Sequence, residues 1–367
     1  MREYVLVAVI AAVFTFVATP AARWIAVRFG AVTPVRGRDV HSVPIPRLGG
    51  IAMLLGFGVA MLVGVQLPYL STLSTRQVLG VLAGAVLMCA LGAIDDFREL
   101  DALTKFAGQI IAAGVMAFSG VQLLMLPIAG QTVLPQPLLI GLTIFVVLAT
   151  TNAVNFVDGL DGLAAGVVGI AALTFFVWAY SQPDIITNGE DASVFTIATL
   201  VAAGLVGCCA GFLPHNFHPA RLFMGDSGAL LLGLLLSAAT ISVTGNIDPA
   251  NSDAQAATVA QWLPLALPVA ILALPVLDVV MAIIRRRGRF SQPDSKHLHH
   301  RMLQIGHTHR RAVLIFYLWS LSIAAGVLGY AYLPAAGATT LLASLLALSL
   351  VLTWGVPRWS QGRRTPV

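Results

Sequence analysis

The chain has 367 residues, of which 58% are hydrophobic and 10% are charged, whereas soluble proteins average about 25% charged residues. Together with a mean hydropathy of +0.88, this composition excludes a soluble globular protein, because only lipid can be the solvent for so apolar a surface. The net charge of +5 does not require a nucleic-acid partner, because the distribution of basic residues across a membrane accounts for it.

A transmembrane helix needs about 20 consecutive apolar residues, and eleven runs of that kind follow one another along the chain. The runs are continuous rather than alternating, which favours helices over the strands of a membrane barrel. We therefore predict an all-α integral membrane protein with about eleven transmembrane helices, the first of them retained rather than removed as a secretory signal. The predicted spans are 4–29, 48–66, 77–94, 106–126, 134–150, 162–180, 193–213, 227–244, 259–284, 312–331 and 333–355.

The basic residues predict the orientation in the membrane. If the loops after odd-numbered spans face the cytoplasm, only Arg2 and Arg76 of the 21 Lys and Arg residues fall on the outer side. The N-terminus is then outside and the C-terminus is cytoplasmic. Cys89, Cys208 and Cys209 fall within predicted spans, so no disulfide framework is expected.

The chain is predicted to form one polytopic membrane domain, residues 1–367, because its longest polar stretch is too short to fold alone. The outer loops are short and carry no cluster of reactive groups. Polar and ionisable residues concentrate in five cytoplasmic segments, so the chemistry is expected on that face. These segments are 30–47, 95–105, 151–161, 214–226 and 285–311.

Asp95 and Asp96 are adjacent carboxylates at the inner end of the third predicted span, and Lys105 follows at the start of the fourth. Neighbouring carboxylates repel each other and are best tolerated beside a cation, either a lysine or a bound metal. Hard oxygen ligands of this kind suit Mg²⁺. A solvated loop at a helix end explains this cluster equally well when it is taken alone.

A second cluster lies in T-N-A-V-N-F-V-D-G-L-D-G-L, where Asn152, Asn155, Asp158 and Asp161 recur at every third residue. If the segment is helical, these four side chains share one side of the helix. The segment lacks the ligand pattern of a calcium-binding loop. Helix capping explains one of these groups but not all four, so the pattern favours a functional role.

Asp226, in F-M-G-D-S-G, is predicted at the N-terminus of the eighth span, where a helix dipole stabilises an anion. Capping alone would explain it, but two other acidic clusters are expected on the same side of the membrane. Phe223, shortly before it, is either a packing residue or a platform for a flat base.

The last cytoplasmic segment carries His297, His299, His300 and Arg301. No Cys or nearby carboxylate pair completes a zinc site with these histidines, so they are better suited to phosphate or sugar hydroxyls. Asp278, inside the ninth predicted span, is costly in lipid and is expected to face the bundle interior.

Acidic groups, basic loops and an apolar bundle on one face indicate an enzyme that joins a water-soluble anionic substrate to a lipid. Phosphoryl transfer depends mainly on positioning and charge neutralisation. A Mg²⁺ ion held by carboxylates would bridge a diphosphate, while Lys or Arg side chains neutralise developing charge.

These motifs resemble the polyprenyl-phosphate N-acetylhexosamine-1-phosphate transferase superfamily, of the glycosyltransferase family 4 type. The resemblance runs through D-V-H-S-V-P-I-P-R-L-G-G, the Asp95-Asp96 pair with Lys105, N-x-x-N-x-x-D-G-x-D-G-L, F-M-G-D-S-G and H-L-H-H-R. It implies transfer of a sugar 1-phosphate from a UDP-sugar to a polyprenyl phosphate, with release of UMP, at the cytoplasmic face of a bacterial plasma membrane. The implied cofactor is Mg²⁺, with Mn²⁺ as a substitute.

Within the superfamily, H-L-H-H-R resembles the branch that uses UDP-N-acetylglucosamine (UDP-GlcNAc) more than the muramyl-pentapeptide branch. Arg47 favours the same branch, because the muramyl-pentapeptide branch has an uncharged residue there. The resemblance implies the first membrane step of a cell-envelope glycopolymer such as lipopolysaccharide, arabinogalactan or teichoic acid. The implied partners are UDP-GlcNAc, polyprenyl phosphate and the membrane, and a homodimer is left open.

The resemblance also implies roles for single residues. Asp95 or Asp96 would deprotonate or orient the lipid phosphate, and Lys105 would neutralise charge. The implied catalytic residues are Asp95, Asp96, Lys105 and Asp158, and the implied metal ligands are Asp226 and Asp95. Asp161, Asn216 and Phe223 would hold the uracil, and Asn155 would lie with Asp158 near the ribose and diphosphate. The residues that would read the sugar or phosphates are His297, His299, His300 and Arg301, while Arg47 is a substrate-binding residue of open role.

Three alternatives compete with this interpretation. The first is an intramembrane prenyltransferase, because the segment from Asp95 to Glu99 is similar to the Asp-rich motif of such enzymes. The motif has Asp where this chain has Glu99, and this interpretation gives the histidine segment no role. A secondary transporter would place its polar residues near the midplane rather than at helix ends. A purely structural membrane protein would tolerate replacement of each carboxylate.

Overall fold

The computed structural model describes residues 1–33, 44–124, 134–181, 195–244 and 307–361, together with the isolated positions 262, 266 and 269. Within these residues the chain forms ten α-helices, a short antiparallel strand pair and a 3₁₀ turn, Leu70–Thr72. The strands are β1 (Val32–Thr33) and β2 (Ile45–Pro46). The helices are α1 (Arg2–Phe29), α2 (Gly49–Gly64), α3 (Thr75–Phe97), α4 (Ala102–Phe118), α5 (Gln136–Val157), α6 (Leu163–Ser181), α7 (Phe195–Asn216), α8 (Gly225–Ile241), α9 (His309–Tyr332) and α10 (Ala335–Gln361).

Ten of the predicted spans correspond to these ten helices. The remaining span, 259–284, lies outside the described residues apart from the three isolated positions. Seven of the helices are long and apolar enough to cross a membrane, and α2, α4 and α8 are shorter apolar helices. The chain is therefore an all-α, multi-pass membrane protein, as predicted.

The fourth predicted span, 106–126, is wrong at both ends. α4 begins at Ala102 because Asp101 caps it, its Oδ1 accepting a hydrogen bond from the Thr104 N–H at 3.0 Å. It ends at Phe118, two residues before Gly120, whose φ of +100° is incompatible with a continuing helix. The earlier start places Lys105 in the first turn of α4, close to the end of α3.

The central helix of the bundle is α8, which packs against α2, α3, α5 and α7. Every residue from Gly225 to Ile241 is buried except Asp226, which is half-buried. A helix that is apolar on all sides must be surrounded by protein. Asp226 therefore lies where the buried core opens at one end of the bundle.

Large apolar side chains cover the outside of the bundle. Val17 on α1, Leu103 on α4 and Phe145 on α5 are exposed by 67%, 80% and 67%. Such a surface is unfavourable in water and is suited to the hydrocarbon core of a bilayer.

Small residues allow α7 to approach α1 closely. Gly207 and Gly211 face Ala8 and Ala12, and a Cβ at either glycine would lie 2.2 Å from the facing backbone carbonyl oxygen. This is the small-xxx-small spacing by which membrane helices come into close contact. The contact holds α1, and the strand pair that follows it, against the rest of the bundle.

Helices α1 to α8 alternate in direction and α9 runs in the same direction as α8, so the bundle has two ends. One of them, the site end, gathers the C-termini of α1, α3, α5 and α7 and the N-termini of α2, α4, α6, α8 and α9. At the opposite end, Glu3 accepts a hydrogen bond from the Leu70 N–H and Arg76 donates one to the Phe118 carbonyl. The described parts of the five polar segments all lie at the site end.

Candidate active site

Carboxylates from α3 and α8 meet at the site end around one lysine. Lys105 Nζ donates to Asp95 Oδ2 at 2.9 Å. It also contacts Asp226 Oδ2, although Asp226 follows 121 positions later in the chain. Two of the three acidic segments are thus in direct contact. We refer to the polar residues gathered here as the acidic cluster: Asp95, Asp96, Lys105, Asn155 and Asp226.

Asp96 serves as a cap for α8. Its carboxylate oxygens accept hydrogen bonds from the backbone N–H groups of Asp226, at 2.9 Å, and Ser227, at 3.1 Å. Gly225, with φ of +69°, leaves the space for this contact, since a Cβ there would lie 2.3 Å from an Asp96 oxygen. A carboxylate at a helix N-terminus is stabilised in this way. Asp96 therefore positions Asp226, and Asp95 is the member of the pair that contacts Lys105.

Helix α5 contributes Asn155 to the acidic cluster. Its Nδ2 donates to Asp226 Oδ1 at 2.9 Å. Asn152, one turn earlier, donates instead to Gln109 Oε1 on α4 at 2.8 Å. Of these two asparagines, one orients a carboxylate of the cluster and the other joins two helices.

Asp158 lies directly after α5. The condition under which the four polar side chains would share one side of a helix is not met at Asp158 and Asp161, because α5 ends at Val157 and Asp158 is its C-cap with ψ of 56°. The next helix, α6, begins only at Leu163, directly after Gly162, whose φ is +81°. The two aspartates therefore lie on a loop, and each has a different environment.

Asp158 interacts electrostatically with the carboxylates of the acidic cluster. Burial, reinforced by the negative charges of Asp226 and Asp96, raises the pKa of Asp158 to about 8, against the opposing effect of the Arg47 charge. The carboxyl groups of three separate segments are thus close enough at the site end to influence one another's charge.

Two loops beside the cluster are joined by Asn216. Its Oδ1 accepts a hydrogen bond from the Gly162 N–H at 3.0 Å, and its Nδ2 donates to the Leu222 carbonyl at 3.0 Å. Asn216 is 1% exposed, so both ends of its amide are used inside the protein. Its contact with uracil stays a prediction. We refer to this group as the loop clamp: Asp161, Gly162, Asn216, His218 and Leu222.

Asp161 is held within the loop clamp. Its Oδ2 accepts hydrogen bonds from His218 Nδ1 at 2.7 Å and from the Ala220 N–H at 3.1 Å. The sequence patterns did not single out His218. The available signal was a titratable side chain between two predicted site residues, Asn216 and Phe223, in a cytoplasmic segment.

Arg47 and Phe223 lie on segments that are joined through their backbones. The Phe223 N–H donates to the Pro46 carbonyl at 2.9 Å, and the Phe223 carbonyl accepts from the Gly49 N–H at 3.0 Å. The Arg47 guanidinium donates to Thr33 Oγ1. Phe223 is half-buried. Both residues lie at the site end, and their contacts with a substrate stay predictions.

The four residues predicted to read the sugar, His297, His299, His300 and Arg301, lie outside the described residues, as does Asp278. The start of α9, which follows that segment, is described. His309 stacks on His218, and Arg310 Nε donates to the His218 carbonyl at 2.9 Å. The described part of the last polar segment thus reaches the loop clamp.

The donor set of the acidic cluster fits a hard divalent cation. Asp95 and Asp226 present carboxylate oxygens to one positive charge, that of Lys105, and Asp158 adds another carboxyl group nearby. Oxygen donors with surplus negative charge suit Mg²⁺ better than a soft metal. Asp95 and Asp226 are therefore the residues that could hold such an ion.

Fold and site together define a class of protein: a multi-pass membrane protein whose helical core opens at one end onto carboxylates, an asparagine and a lysine suited to an anionic substrate. Comparison with known sequences places it within that class. The chain belongs to glycosyl transferase family 4, whose profile matches residues 78–244. The matched region runs from α3 to α8 and contains the whole acidic cluster and the whole loop clamp.

Three relatives illustrate the range of similarity. The decaprenyl-phosphate N-acetylglucosaminephosphotransferase of Mycolicibacterium smegmatis is 44% identical over 363 residues, covering 96% of this chain and 88% of the relative. The probable undecaprenyl-phosphate N-acetylglucosaminyl 1-phosphate transferase of Bacillus subtilis is 33% identical over 323 residues, covering 87% and 82%. The phospho-N-acetylmuramoyl-pentapeptide-transferase of Desulforudis audaxviator is 34% identical over 327 residues, covering 82% and 88%. The predicted family membership is confirmed.

Proposed function

We propose that the protein transfers GlcNAc 1-phosphate from UDP-GlcNAc to a polyprenyl phosphate, giving polyprenyl-diphospho-GlcNAc and UMP. The observation that carries the proposal is the contact of Asp95 and Asp226 with Lys105 at the end of a lipid-exposed helical bundle. A reaction between a soluble nucleotide sugar and a membrane lipid needs charged groups at such a boundary. The names of relatives at 44% and 33% identity support this donor and acceptor.

In the proposed reaction, an oxygen of the lipid phosphate forms a bond to the sugar-bearing phosphorus of the donor. The bond from that phosphorus to the UMP oxygen breaks, and UMP leaves with the electron pair. Asp95 orients the lipid phosphate or accepts its proton, and Lys105 neutralises negative charge that develops on the phosphates. Asn155 and Asp96 hold Asp226 in place through its side chain and its backbone.

We propose Mg²⁺ as the cofactor, held by Asp226 and Asp95, with Mn²⁺ as a substitute. When bound, a divalent ion supplies charge neutralisation to the diphosphate. The support is the chemistry of the donor set, in which carboxylate oxygens outnumber the cationic groups that contact them.

We also propose that the site end faces the bacterial cytoplasm, with the N-terminus outside, the C-terminus inside and 259–284 as an eleventh span. Among the described residues, Arg2 and Arg76 lie at the opposite end, whereas Arg23, Arg28 and Arg47 lie at or near the site end. Since α8 ends at the opposite end and α9 begins at the site end, one further crossing between them agrees with this topology. The product would begin a cell-envelope glycopolymer.

The test is an assay of the purified full chain in nanodiscs with UDP-GlcNAc and polyprenyl phosphate. We expect Mg²⁺-dependent release of UMP and a lipid product whose mass has increased by one GlcNAc phosphate. UDP-MurNAc-pentapeptide as donor distinguishes the two branches of the family and is expected to give no product. Without UMP release from UDP-GlcNAc, the proposal is overturned.

The same preparation separates the remaining alternatives. A prenyltransferase would consume a prenyl diphosphate without UDP-GlcNAc, and a transporter would move UDP-GlcNAc across liposomes without consuming it. We expect neither result.

A further inference from the structure

One side chain of the loop clamp has no role in the proposed transfer. His218 Nδ1 lies 2.7 Å from Asp161 Oδ2, and the Ala220 N–H donates to the same oxygen at 3.1 Å. Two donors on one oxygen fix the orientation of a carboxylate. Among the described residues no donor reaches the other oxygen, Oδ1, so Asp161 retains one acceptor for a ligand.

His218 is itself held by the first turn of α9. Its ring stacks on that of His309, with centroids 4.1 Å apart and 15° between the planes. Its carbonyl accepts a hydrogen bond from Arg310 Nε at 2.9 Å. His309 is buried, and neither of its ring nitrogens has a hydrogen-bond partner in the described part of the chain. Its contribution is therefore a flat surface rather than a donor.

A metal ion is the first candidate ligand for this group, because Asp161, His218 and His309 offer ligand atoms within 4.8 Å of one another. A metal lies in the plane of each imidazole that binds it, along the nitrogen lone pair. In two nearly parallel, stacked rings these lone pairs do not converge on one point. The geometry therefore favours a hydrogen-bonding role over a metal site.

The backbone around Asp161 is equally constrained. The neighbouring Gly162 donates its N–H to Asn216 and accepts a hydrogen bond at its carbonyl from Tyr317. The Asp161 side chain is 10% exposed. An acceptor held this rigidly selects ligands by the position of a complementary donor.

We propose that His218 is a positioning residue that keeps Asp161 as a fixed hydrogen-bond acceptor and thereby makes the donor site prefer a uracil over a cytosine nucleotide. The inference rests on the proposed function and on the family resemblance, which implies that Asp161 holds the uracil of the donor. Uracil presents an N3–H that a carboxylate can accept, whereas cytosine presents a bare N3 acceptor that a carboxylate repels. A site built around a fixed acceptor rejects the ligand that lacks a donor at the matching position.

A matched pair of substitutions tests this role. His218→Phe keeps a ring against His309 and removes the donor to Asp161. His218→Asn removes the ring and keeps a donor, since Asn Nδ2 takes the position of His Nδ1. We expect His218→Phe to raise KM for UDP-GlcNAc about tenfold with kcat changed by less than about threefold, and His218→Asn to restore most of the loss. His215→Phe is the control, because His215 packs on Phe16 and does not contact Asp161.

Product inhibition gives the readout that a merely structural role would not change. In the parent, UMP should inhibit the transfer reaction far more strongly than CMP does. In His218→Phe, the ratio of the CMP inhibition constant to the UMP inhibition constant should decrease about tenfold. An unchanged ratio of UMP to CMP inhibition, or an Asn variant as impaired as the Phe variant, would overturn the inference. If the Phe variant does not fold, the parent can be tested with N3-methyl-UMP, which lacks the N3–H. Inhibition of the parent by N3-methyl-UMP as strong as that by UMP would also overturn the inference.

The two proposals fail in different ways. A parent that releases no UMP from UDP-GlcNAc and polyprenyl phosphate removes the proposed function. An active parent whose His218→Phe variant keeps the same KM and base preference removes only the role of His218.

Discussion

The acidic cluster and the loop clamp lie side by side at the site end, yet they are built in opposite ways. In the acidic cluster, the Lys105 ammonium group contacts the carboxylates of both Asp95 and Asp226, and the carboxyl group of Asp158 lies nearby. In the loop clamp, both ends of a buried amide have a matched partner. Crowded like charges are typical of functional sites, whereas fully paired buried polar groups hold a fold together. Substitutions in the first region should therefore lower turnover, and loss of the buried amide in the second should lower stability.

The largest effect is expected at Asp226. Asp226→Asn removes the negative charge while keeping an oxygen and the helix start, so turnover should fall by about 10³-fold or more without loss of the folded protein. UMP release and size-exclusion chromatography measure the two properties. Asp101→Asn is the control, since Asp101 caps α4 on an exposed loop and asparagine also caps well. A residual rate within about tenfold of the parent would remove Asp226 from the catalytic machinery.

A smaller loss of turnover is expected at Lys105. Lys105→Met keeps the length of the side chain and removes the charge, so turnover should fall about 10²-fold. At the same time the activating Mg²⁺ concentration should decrease, because the ammonium no longer competes for Asp95 and Asp226. A Mg²⁺ titration of UMP release measures both, with Lys105→Arg as the variant that keeps the charge. An increased Mg²⁺ requirement in Lys105→Met would contradict the proposed competition.

In the loop clamp, loss of the Asn216 amide should lower the free energy of unfolding. Asn216→Ala leaves the buried Gly162 N–H and Leu222 carbonyl without their partner, which should destabilise the protein by about 2–4 kcal/mol. Thermal unfolding in detergent should show the decrease. Asn152→Ala is the matched control, because Asn152 is only half-buried and its loss should lower the unfolding temperature less. Equal unfolding temperatures for Asn216→Ala and the parent would show that the clamp does not hold the loops.

A pH dependence of stability is expected at Asp158. Its pKa of about 8 in the folded chain lies above the value of about 4 expected in the unfolded chain. Between these values the folded state binds the extra proton, so the contribution of Asp158 to stability decreases as pH rises through that window. Asp158→Asn lacks this slope.

Unfolding of the Asp158→Asn variant and the parent, both in EDTA between pH 5 and 9, measures the effect. The advantage of the variant should grow up to about pH 8 and then level off, because Asp158 is then ionised in both states. The groups that act on its titration are Asp226, Asp96, Asp161 and Arg47. A pH-independent difference between the two proteins would contradict the raised pKa.

Most helices could be predicted because the length and continuity of an apolar run are local properties of the chain. The errors occur where something other than hydropathy sets a helix end. Asp101 starts α4 earlier than its apolar run, and Asp158, with ψ of 56°, ends α5 before the row of polar residues is complete. Caps and positive φ values decide such ends.

The candidate site could be predicted in part. Asp95, Asp226 and Lys105 stand out by residue type at predicted helix ends, and the structure brings them together. Adjacent carboxylates cannot be told apart in a sequence, and only the packing of α3 against α8 shows that Asp96 caps a helix while Asp95 contacts Lys105. His218 carried no pattern of its own, and its partner Asp161 lies 57 positions away.

By itself, the sequence determined that this protein is a helical membrane bundle with its polar groups gathered at one end, because the match between apolar length and lipid depends on composition alone. Only the tertiary structure decided which polar groups meet. Lateral contacts between helices arise from the packing of surfaces contributed by distant segments, and a linear pattern contains no record of which surfaces those are.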